Sequence, residues 1–163
     1  MIEILILYIL KKYDCTIYKI VKLIDEIFFA YAKTSTGSVN PALKRLENLS
    51  CVTYKEVMTD GGMLSKTYSI TPAGEKHLVS LLINFVSQNP SHVLNEAKML
   101  LYCSDILSSS ELIEFKNNIR NSLELFRIKL ERGLEDEYSQ RNTVQTRTIE
   151  ITLEETKELI KLL

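Results

Sequence analysis

Residues 36–58 read TGSVNPALKRLENLSCVTYKEVM, and the spacing of their apolar residues changes midway. Up to Leu49 the apolar residues recur at helical spacing, which predicts a helix over Thr36–Leu49 with one buried face. From Val52 to Met58 the residues are β-branched, aromatic and alternating, which predicts a strand. The chain is therefore expected to pass directly from a helix into a strand near residue 50.

A second strand, Lys66–Ile70, follows a segment that contains Asp60-Gly61-Gly62. Residues of this kind tolerate positive φ, so the two strands are predicted to form a β-hairpin. Thr71 and Pro72 then supply a capping residue and a first-turn proline for a helix that extends to about Ser87. The hairpin is thus expected to lie between two helices in the chain.

Two further helices are predicted before residue 36. Ile2–Lys12 is apolar on nearly every side, which suits a helix buried in a small core. Asp14-Cys15-Thr16 breaks it, and Thr16 can cap a second helix from Ile17 to about Tyr31. Three helices followed by a two-stranded hairpin are the order of a winged helix–turn–helix. In that module the third helix enters the DNA major groove and the hairpin, or wing, lies along the backbone.

The third helix offers the surface that this role needs. The face opposite its apolar residues is small and polar, so it can approach base edges; asparagine can bond adenine and lysine can bond guanine. Hydroxyls and amides at the front of the helix suit phosphate oxygens. Pro41 is expected to remove one backbone hydrogen bond of the helix. The candidate DNA contacts on this helix are Ser35, Thr36, Gly37, Ser38, Asn40, Pro41, Lys44 and Asn48.

The remainder is predicted to be helical, which divides the chain into domains 1–88 and 89–163. One amphipathic stretch covers Val93–Ile106, and Ser108–Ser110 opens a helix of about 25 residues with Glu111 in its first turn. That helix carries more than one apolar row, so it must bury more than one side, for example against its own core and a partner subunit. The predicted interface residues are Leu112, Phe115, Ile119, Leu123, Phe126 and Leu130.

The end of the chain is predicted to contain a loop and a short helix. Residues from Glu135 to Thr148 are polar and are expected to form the loop. Thr152 and Glu155 match a capping box, which predicts a last helix over Leu153–Leu163.

Composition excludes several classes of protein. The 163 residues allow one domain or two small ones, and 45% hydrophobic with 25% charged residues is typical of a globular protein rather than a disordered one. Net charge is −1, but residues 1–85 carry ten Lys/Arg and eight Asp/Glu, a net +2. A mildly basic first half is compatible with a nucleic-acid surface confined to it. The apolar start is too short for a membrane helix, so a cytoplasmic protein with no membrane partner is expected.

No catalytic or metal-binding set is found in the sequence. Cys15, Cys51 and Cys103 are far apart and have no CxxC or CxxH spacing, and His77 and His92 have no ligand cluster beside them. Phosphate-cradling and nucleophile-elbow motifs are absent. The sequence therefore predicts no enzyme activity, no catalytic residue, no metal and no cofactor.

The segment Gly37–Glu47 resembles the third-helix signature of PadR-like transcriptional regulators, of the form S-x-G-S-V-Y-P-A-L-x-R-L-E. Gly62–Gly74 resembles their wing and following helix, of the form G-x-x-x-K-x-Y-x-L-T-P-x-G. Thr16–Ile20 resembles the H-G-Y-E-I that opens their second helix. These matches keep their order and spacing over about residues 1–80, half of the chain.

The resemblance implies a mainly α protein with a small β-hairpin: an N-terminal winged helix–turn–helix followed by a helical C-terminal dimerisation region. It also implies a bacterial repressor that binds double-stranded operator DNA as a homodimer. Such regulators often release DNA when a small hydrophobic or aromatic effector binds near the C-terminal helices. The predicted contacts of the second helix and the wing are Tyr18, Lys19, Lys55, Lys66 and Tyr68.

The sequence departs from the family pattern at several positions. Asn40 stands where tyrosine is usual, which changes the expected operator. Ser50 replaces a glycine after the third helix, so a left-handed turn there would be strained. Ser65 replaces a wing arginine, which predicts weaker and less salt-sensitive binding. The small basic excess leaves an alternative open: a winged-helix module of the antirepressor kind, which binds another protein through its third helix.

Overall fold

The computed structural model describes residues 1–58, 62, 64–87, 89–136 and 139–163. The chain is mainly helical with one small antiparallel sheet, as predicted, and it forms two units, Met1–Leu82 and Ile83–Leu163. Three parts of the predictions lie outside the described residues: Asp60 and Gly61 of the hairpin turn, Gln88 at the predicted domain boundary, and Glu137 in the predicted polar loop.

The N-terminal unit is built around its first helix. Helix α1 (Ile2–Lys12) is buried at seven successive residues, Ile4–Leu10, so other elements contact it on every side, as its sequence predicts. Helices α2 (Ile17–Ile27), α3 (Thr36–Asn48) and α4 (Pro72–Ile83) follow. Helix α2 is shorter than predicted because Phe28 leaves helical geometry, with φ −105° and ψ 25°, and its side chain is buried.

The sheet has three strands rather than the two predicted. Strand β1 (Cys15–Thr16) pairs with β3 (Leu64–Ile70), which also pairs with β2 (Val52–Met58), so β3 is central. The segment expected only to break the first helix therefore adds a strand, with Cys15 opposite Tyr68. Two residues are too few for an alternating pattern to show in the sequence.

A strained turn joins α3 to β2. The amide of Cys51 donates to the carbonyl of Leu46 (2.8 Å) and the amide of Ser50 donates to Glu47 (2.9 Å), the pair of bonds that closes a helix with a left-handed residue. That residue is Ser50, with φ 56°. The expectation of a serine in a left-handed turn is confirmed.

The start of α4 fastens the far end of the hairpin to this turn. The hydroxyl of Thr71 donates to the carbonyl of Ser50 (2.7 Å) and accepts from the amide of Gly74 (3.0 Å). A Cβ on Gly74 would lie 2.0 Å from the carbonyl oxygen of Cys51, so only glycine allows this approach. Both ends of the hairpin are thus fixed beside the end of α3.

The C-terminal unit contains α5 (Val93–Tyr102), α6 (Ser109–Glu135) and α7 (Thr143–Lys161). The predicted start of α6 is confirmed: Glu111 accepts from the amide of Ser108 (2.7 Å). The amphipathic stretch after Val93 does not continue as one α-helix, because a 3₁₀ turn replaces it over Cys103–Ile106.

The predicted loop is shorter and the final helix longer than expected, because α7 begins ten residues before Leu153. Asn142 and Gln145 form a capping box there, each side chain accepting from the other residue's amide (both 2.9 Å). Thr148, Thr152 and Thr156 each donate their hydroxyl to the carbonyl four residues earlier. These local bonds satisfy the three hydroxyls within the helix.

Candidate nucleic-acid interface

Helix α3 has one buried face and one open face. Val39, Ala42, Leu43 and Leu46 are buried in the N-terminal unit. The predicted DNA contacts of this helix are all exposed: Ser35, Thr36, Gly37, Ser38, Asn40, Pro41, Lys44 and Asn48. Because one side of α3 is buried, only its small polar side is open, and that side is free to enter a DNA groove.

Hydroxyl groups organise the front of α3. The hydroxyl of Ser38 donates to the carbonyl of Ser35 (2.9 Å) and accepts from its amide (3.2 Å). The amide of Thr34 donates to the carboxylate of Asp25 on α2 (2.9 Å). The helix also continues through Pro41, which has no amide to offer to the carbonyl of Gly37. Ser38 thus serves the turn itself, whereas the hydroxyls of Ser35 and Thr36 lie at the exposed helix start.

Two adjacent cations of α3 have different roles. The guanidinium of Arg45 donates to Glu3 on α1 (2.6 Å), so this side chain connects two helices. Lys44 is exposed and forms no ion pair with any residue that the structure describes. The charge available to a nucleic acid on this helix is therefore that of Lys44.

The start of α2 and the wing meet at an open groove of about 310 Å³. Its lining includes Tyr18 and Lys66, two residues predicted to contact DNA, together with Thr16 and Ser65. Tyr18 is 75% exposed, and Lys19 beside it is exposed as well. The fold therefore brings hydroxyls, a phenol and an ammonium together beside the N-terminal end of a helix, a combination that suits phosphate oxygens.

Lys55 is also exposed, but it does not join this group. It lies opposite Thr67 in the hairpin, whereas Lys66 lies opposite Glu56. Successive residues of a strand point to opposite faces, so Lys55 and Lys66 are on different faces of the wing. The two predicted wing cations would contact a duplex from different sides of the hairpin.

The predicted DNA contact of Tyr68 is corrected, because its side chain is only 4% exposed and cannot present its phenol to DNA. Its ring packs against Tyr54 (5.7 Å between centroids) on the neighbouring strand. Its hydroxyl donates to the carboxylate of Glu47 on α3. Burial is the main cause that raises the pKa of the phenol, and the charge of this carboxylate raises it further. The residue belongs to the support of the surface rather than to the surface.

Glu47 and Tyr54 contact the predicted wing residues Lys66 and Tyr68, and the sequence did not indicate either of them. The ammonium of Lys66 lies 3.7 Å from the ring centroid of Tyr54, and its hydrogen bond to that phenol raises the pKa of Lys66. The negative charge of Glu47 raises it further. We call Glu47, Tyr54, Lys66 and Tyr68 the Glu47 cluster; the only sequence signal for it is that Tyr54, Lys66 and Tyr68 share one face of the hairpin.

The predicted interface on α6 is corrected in part. Phe115, Ile119 and Leu123 are buried within the C-terminal unit of a single chain, so they form its core and are covered already. Leu112, Phe126 and Leu130 remain partly exposed. Ile113 and Leu125, which belong to the second apolar row, are exposed. This second row is therefore the part of α6 that the single chain leaves open.

Other kinds of site are not found among the residues that the structure describes. No group of His, Cys, Asp or Glu side chains there could hold a metal ion. The three cysteines are buried and are not joined in disulfides. None of the described helices combines the length and apolar character needed to cross a bilayer.

Comparisons with known proteins identify similar families and folds. Residues 6–80 match the model of the transcriptional regulator PadR-like family, which confirms the resemblance over that segment. None of the curated proteins matches the chain. Among solved structures, Bacillus subtilis PadR in complex with operator DNA is 19% identical with a TM-score of 0.50, covering 98% of this chain and 93% of that one, and shows the same fold.

Two further solved structures are similar to the chain. A PadR-like transcription factor from Bacteroides fragilis is 29% identical with a TM-score of 0.43, covering 48% of this chain and 74% of that one. Bacillus subtilis PadR in complex with p-coumaric acid is 17% identical with a TM-score of 0.41, covering 98% of this chain and 89% of that one.

Proposed function

Because residues 6–80 carry the winged helix–turn–helix of the PadR-like family, we propose that this protein is a sequence-specific DNA-binding transcriptional regulator. The observation that supports this most is the exposed polar face of α3, where Asn40 and Lys44 can reach base edges. The groove at Tyr18 and Lys66 supplies backbone contacts beside it. Base contacts give the choice of sequence, and phosphate contacts give most of the affinity.

The finer proposal is a repressor that acts as a homodimer. Two copies of α3 in successive major grooves would be separated by ~34–36 Å, one turn of the duplex. The exposed apolar row of α6, with Ile113 and Leu125, supports association between copies, because burying it removes apolar surface from water. A dimer seated on an operator would block access to that stretch of DNA.

The proposal extends to a small effector bound by the C-terminal unit. A hollow of about 120 Å³ there is lined mainly by apolar side chains, among them Val93, Leu125 and Phe126, with Lys129 at its edge. An apolar hollow with one cation suits a small aromatic acid. Bacillus subtilis PadR has been crystallised with such a compound, p-coumaric acid.

The test is selection of bound fragments from the genome that encodes the protein, followed by anisotropy titrations of the selected duplex and a scrambled one. Lys44→Ala is expected to reduce the ratio of the two affinities by about 5- to 150-fold, the value of one base contact. Lys161→Ala removes the same charge from the C-terminal unit, where Lys161 pairs with Glu158, and should leave the ratio unchanged. Equally weakened binding of both duplexes by Lys44→Ala would remove Lys44 from base recognition.

A second candidate is a winged helix that binds another protein. The observation in its favour is the apolar end of the wing, where Val57, Met58 and Leu64 are exposed. A DNA-binding protein loses affinity steeply between low salt and ~200 mM salt, whereas a protein-binding module shows little DNA affinity at either. The titrations above therefore separate the two functions.

A further inference from the structure

We propose that Glu47 and Tyr68 are positioning residues that fix the wing against the recognition helix α3, so that base contacts and backbone contacts form together. This inference rests on the proposed DNA-binding function. It assigns a role to a carboxylate on α3 and to a buried phenol on the central strand.

Glu47 lies on the side of α3 that carries the candidate base contacts. It follows Asn40 by seven residues and Lys44 by three, so the helical repeat places all three on neighbouring positions of one face. A carboxylate there repels the phosphates of a bound duplex. The bond of Glu47 to Tyr68 and its proximity to Lys66 explain why a negative charge that opposes DNA binding is placed at this position.

Tyr68 connects α3 to the whole sheet. It lies on β3, the strand that pairs with both β1 and β2, opposite Cys15 on one side and Tyr54 on the other. A rigid central strand transmits the position of α3 to the wing more directly than an edge strand does. The bond between Glu47 and Tyr68 therefore fixes the wing, and not a single side chain.

Burial makes this bond costly to break. The side chain of Tyr68 is only 4% exposed, so loss of Glu47 leaves its hydroxyl with little access to water as a replacement partner. A phenol is protonated at neutral pH, so the hydroxyl is a donor there, and burial raises its pKa further. Lys66 extends the connection, because its ammonium lies over Tyr54 in the same cluster and is one of the proposed phosphate contacts.

The experiment compares three variants, two of which have the same charge, on the selected and scrambled duplexes. Glu47→Ala and Glu47→Gln both remove the carboxylate charge, but the glutamine amide still accepts from Tyr68. Tyr68→Phe removes one oxygen and no charge. We expect Glu47→Ala and Tyr68→Phe to reduce sequence discrimination about tenfold, the value of one hydrogen bond to a charged group. Glu47→Gln should stay within about twofold of the wild type.

The salt dependence supplies a readout that a decrease in stability alone would not change. If the wing disengages in Tyr68→Phe, the slope of log affinity against log salt falls by about 0.9 for each phosphate that the wing no longer neutralises, although no charge was removed from the protein. Titrations are made well below each variant's unfolding midpoint. Addition of Tyr68→Phe to Glu47→Ala should reduce discrimination no further.

Several outcomes overturn the inference. One is wild-type discrimination in folded Tyr68→Phe and Glu47→Ala, and another is an equal decrease in Glu47→Gln and Glu47→Ala. If Glu47→Ala does not fold, the comparison of Tyr68→Phe with Glu47→Gln decides. A wild-type protein that binds neither duplex at low salt overturns the proposed function, and this inference with it. Wild-type discrimination together with unaffected variants overturns the inference alone.

Discussion

Salt dependence of DNA binding gives a quantitative prediction, because the number of phosphate contacts can be taken from the fold. The exposed lysines beside the proposed DNA-binding surface, apart from Lys44, which is proposed to contact bases, are Lys19, Lys55 and Lys66. In the proposed dimer each of them occurs twice. With a slope of about 0.9 per neutralised phosphate, log affinity should fall with log salt at a slope of about 5.4. A rise from about 50 to 200 mM salt then weakens binding about 2,000-fold.

The informative variant is Lys19→Ala at the start of α2. It removes one phosphate contact from each protomer, so the slope should fall to about 3.6 and the same rise in salt should weaken binding only about 150-fold. Lys22→Ala is the matched control, since Lys22 lies on the same helix and pairs with Glu26 at 3.7 Å. Both changes alter the net charge of the protein equally.

Anisotropy titrations at four salt concentrations measure each slope. The expected effect is local: the slope should fall for Lys19→Ala and stay at the wild-type value for Lys22→Ala. Equal slopes for Lys19→Ala and the wild type would show that the start of α2 does not contact phosphate. An equal fall for both variants would show that net charge, and not the groove at Tyr18, determines the slope.

The remaining predictions concern the scaffold. Gly74→Ala places a methyl group on the carbonyl of Cys51 and should reduce the free energy of unfolding by about 3 kcal/mol in urea titrations; a wild-type midpoint would contradict the close approach. Ser50→Gly relieves a left-handed serine and should raise stability by about 1 kcal/mol, seen as a higher Tm; an unchanged or lower Tm would refute strain at this turn. Burial raises the pKa of Cys15 to about 11, so about 0.1% of it is thiolate at pH 8, and a thiol reagent should label it slowly until the protein is unfolded; rapid labelling of the native protein would be inconsistent with that burial.

The sequence predicted the recognition helix well because periodicity determines both of its faces at once. Once Val39, Leu43 and Leu46 are assigned to the core, the helical repeat places Asn40 and Lys44 in solvent. The structure has them there. The left-handed turn at Ser50 could also be foreseen from the sequence, because helices often end with a left-handed residue where the chain turns into a strand.

The wing was predicted less well because alternation identifies the two faces of a strand but not how deeply each is covered. Tyr54, Lys66 and Tyr68 share a face, yet that face changes along the hairpin from Tyr68, 4% exposed near the base, to Leu64, 69% exposed near the end. How deeply this face is covered depends on what packs against it, which here is the end of α3. The carboxylate that accepts the hydrogen bond of Tyr68 belongs to Glu47, which is distant in sequence, so no local pattern indicates it.

Arg45 and Glu47 both hold helix α3 in place, but to different degrees. Arg45 pairs with Glu3, but both groups are partly in solvent, and a pair of this kind stabilises a fold by ~1 kcal/mol or less. The bond of Glu47 to buried Tyr68 is the stronger constraint, because breaking it leaves a buried donor unpaired at a cost of ~1–3 kcal/mol. The orientation of α3 should therefore depend more on the sheet than on α1. Lys44 is exposed beside Arg45 on this helix, so a substitution there should leave the groups that position α3 in place.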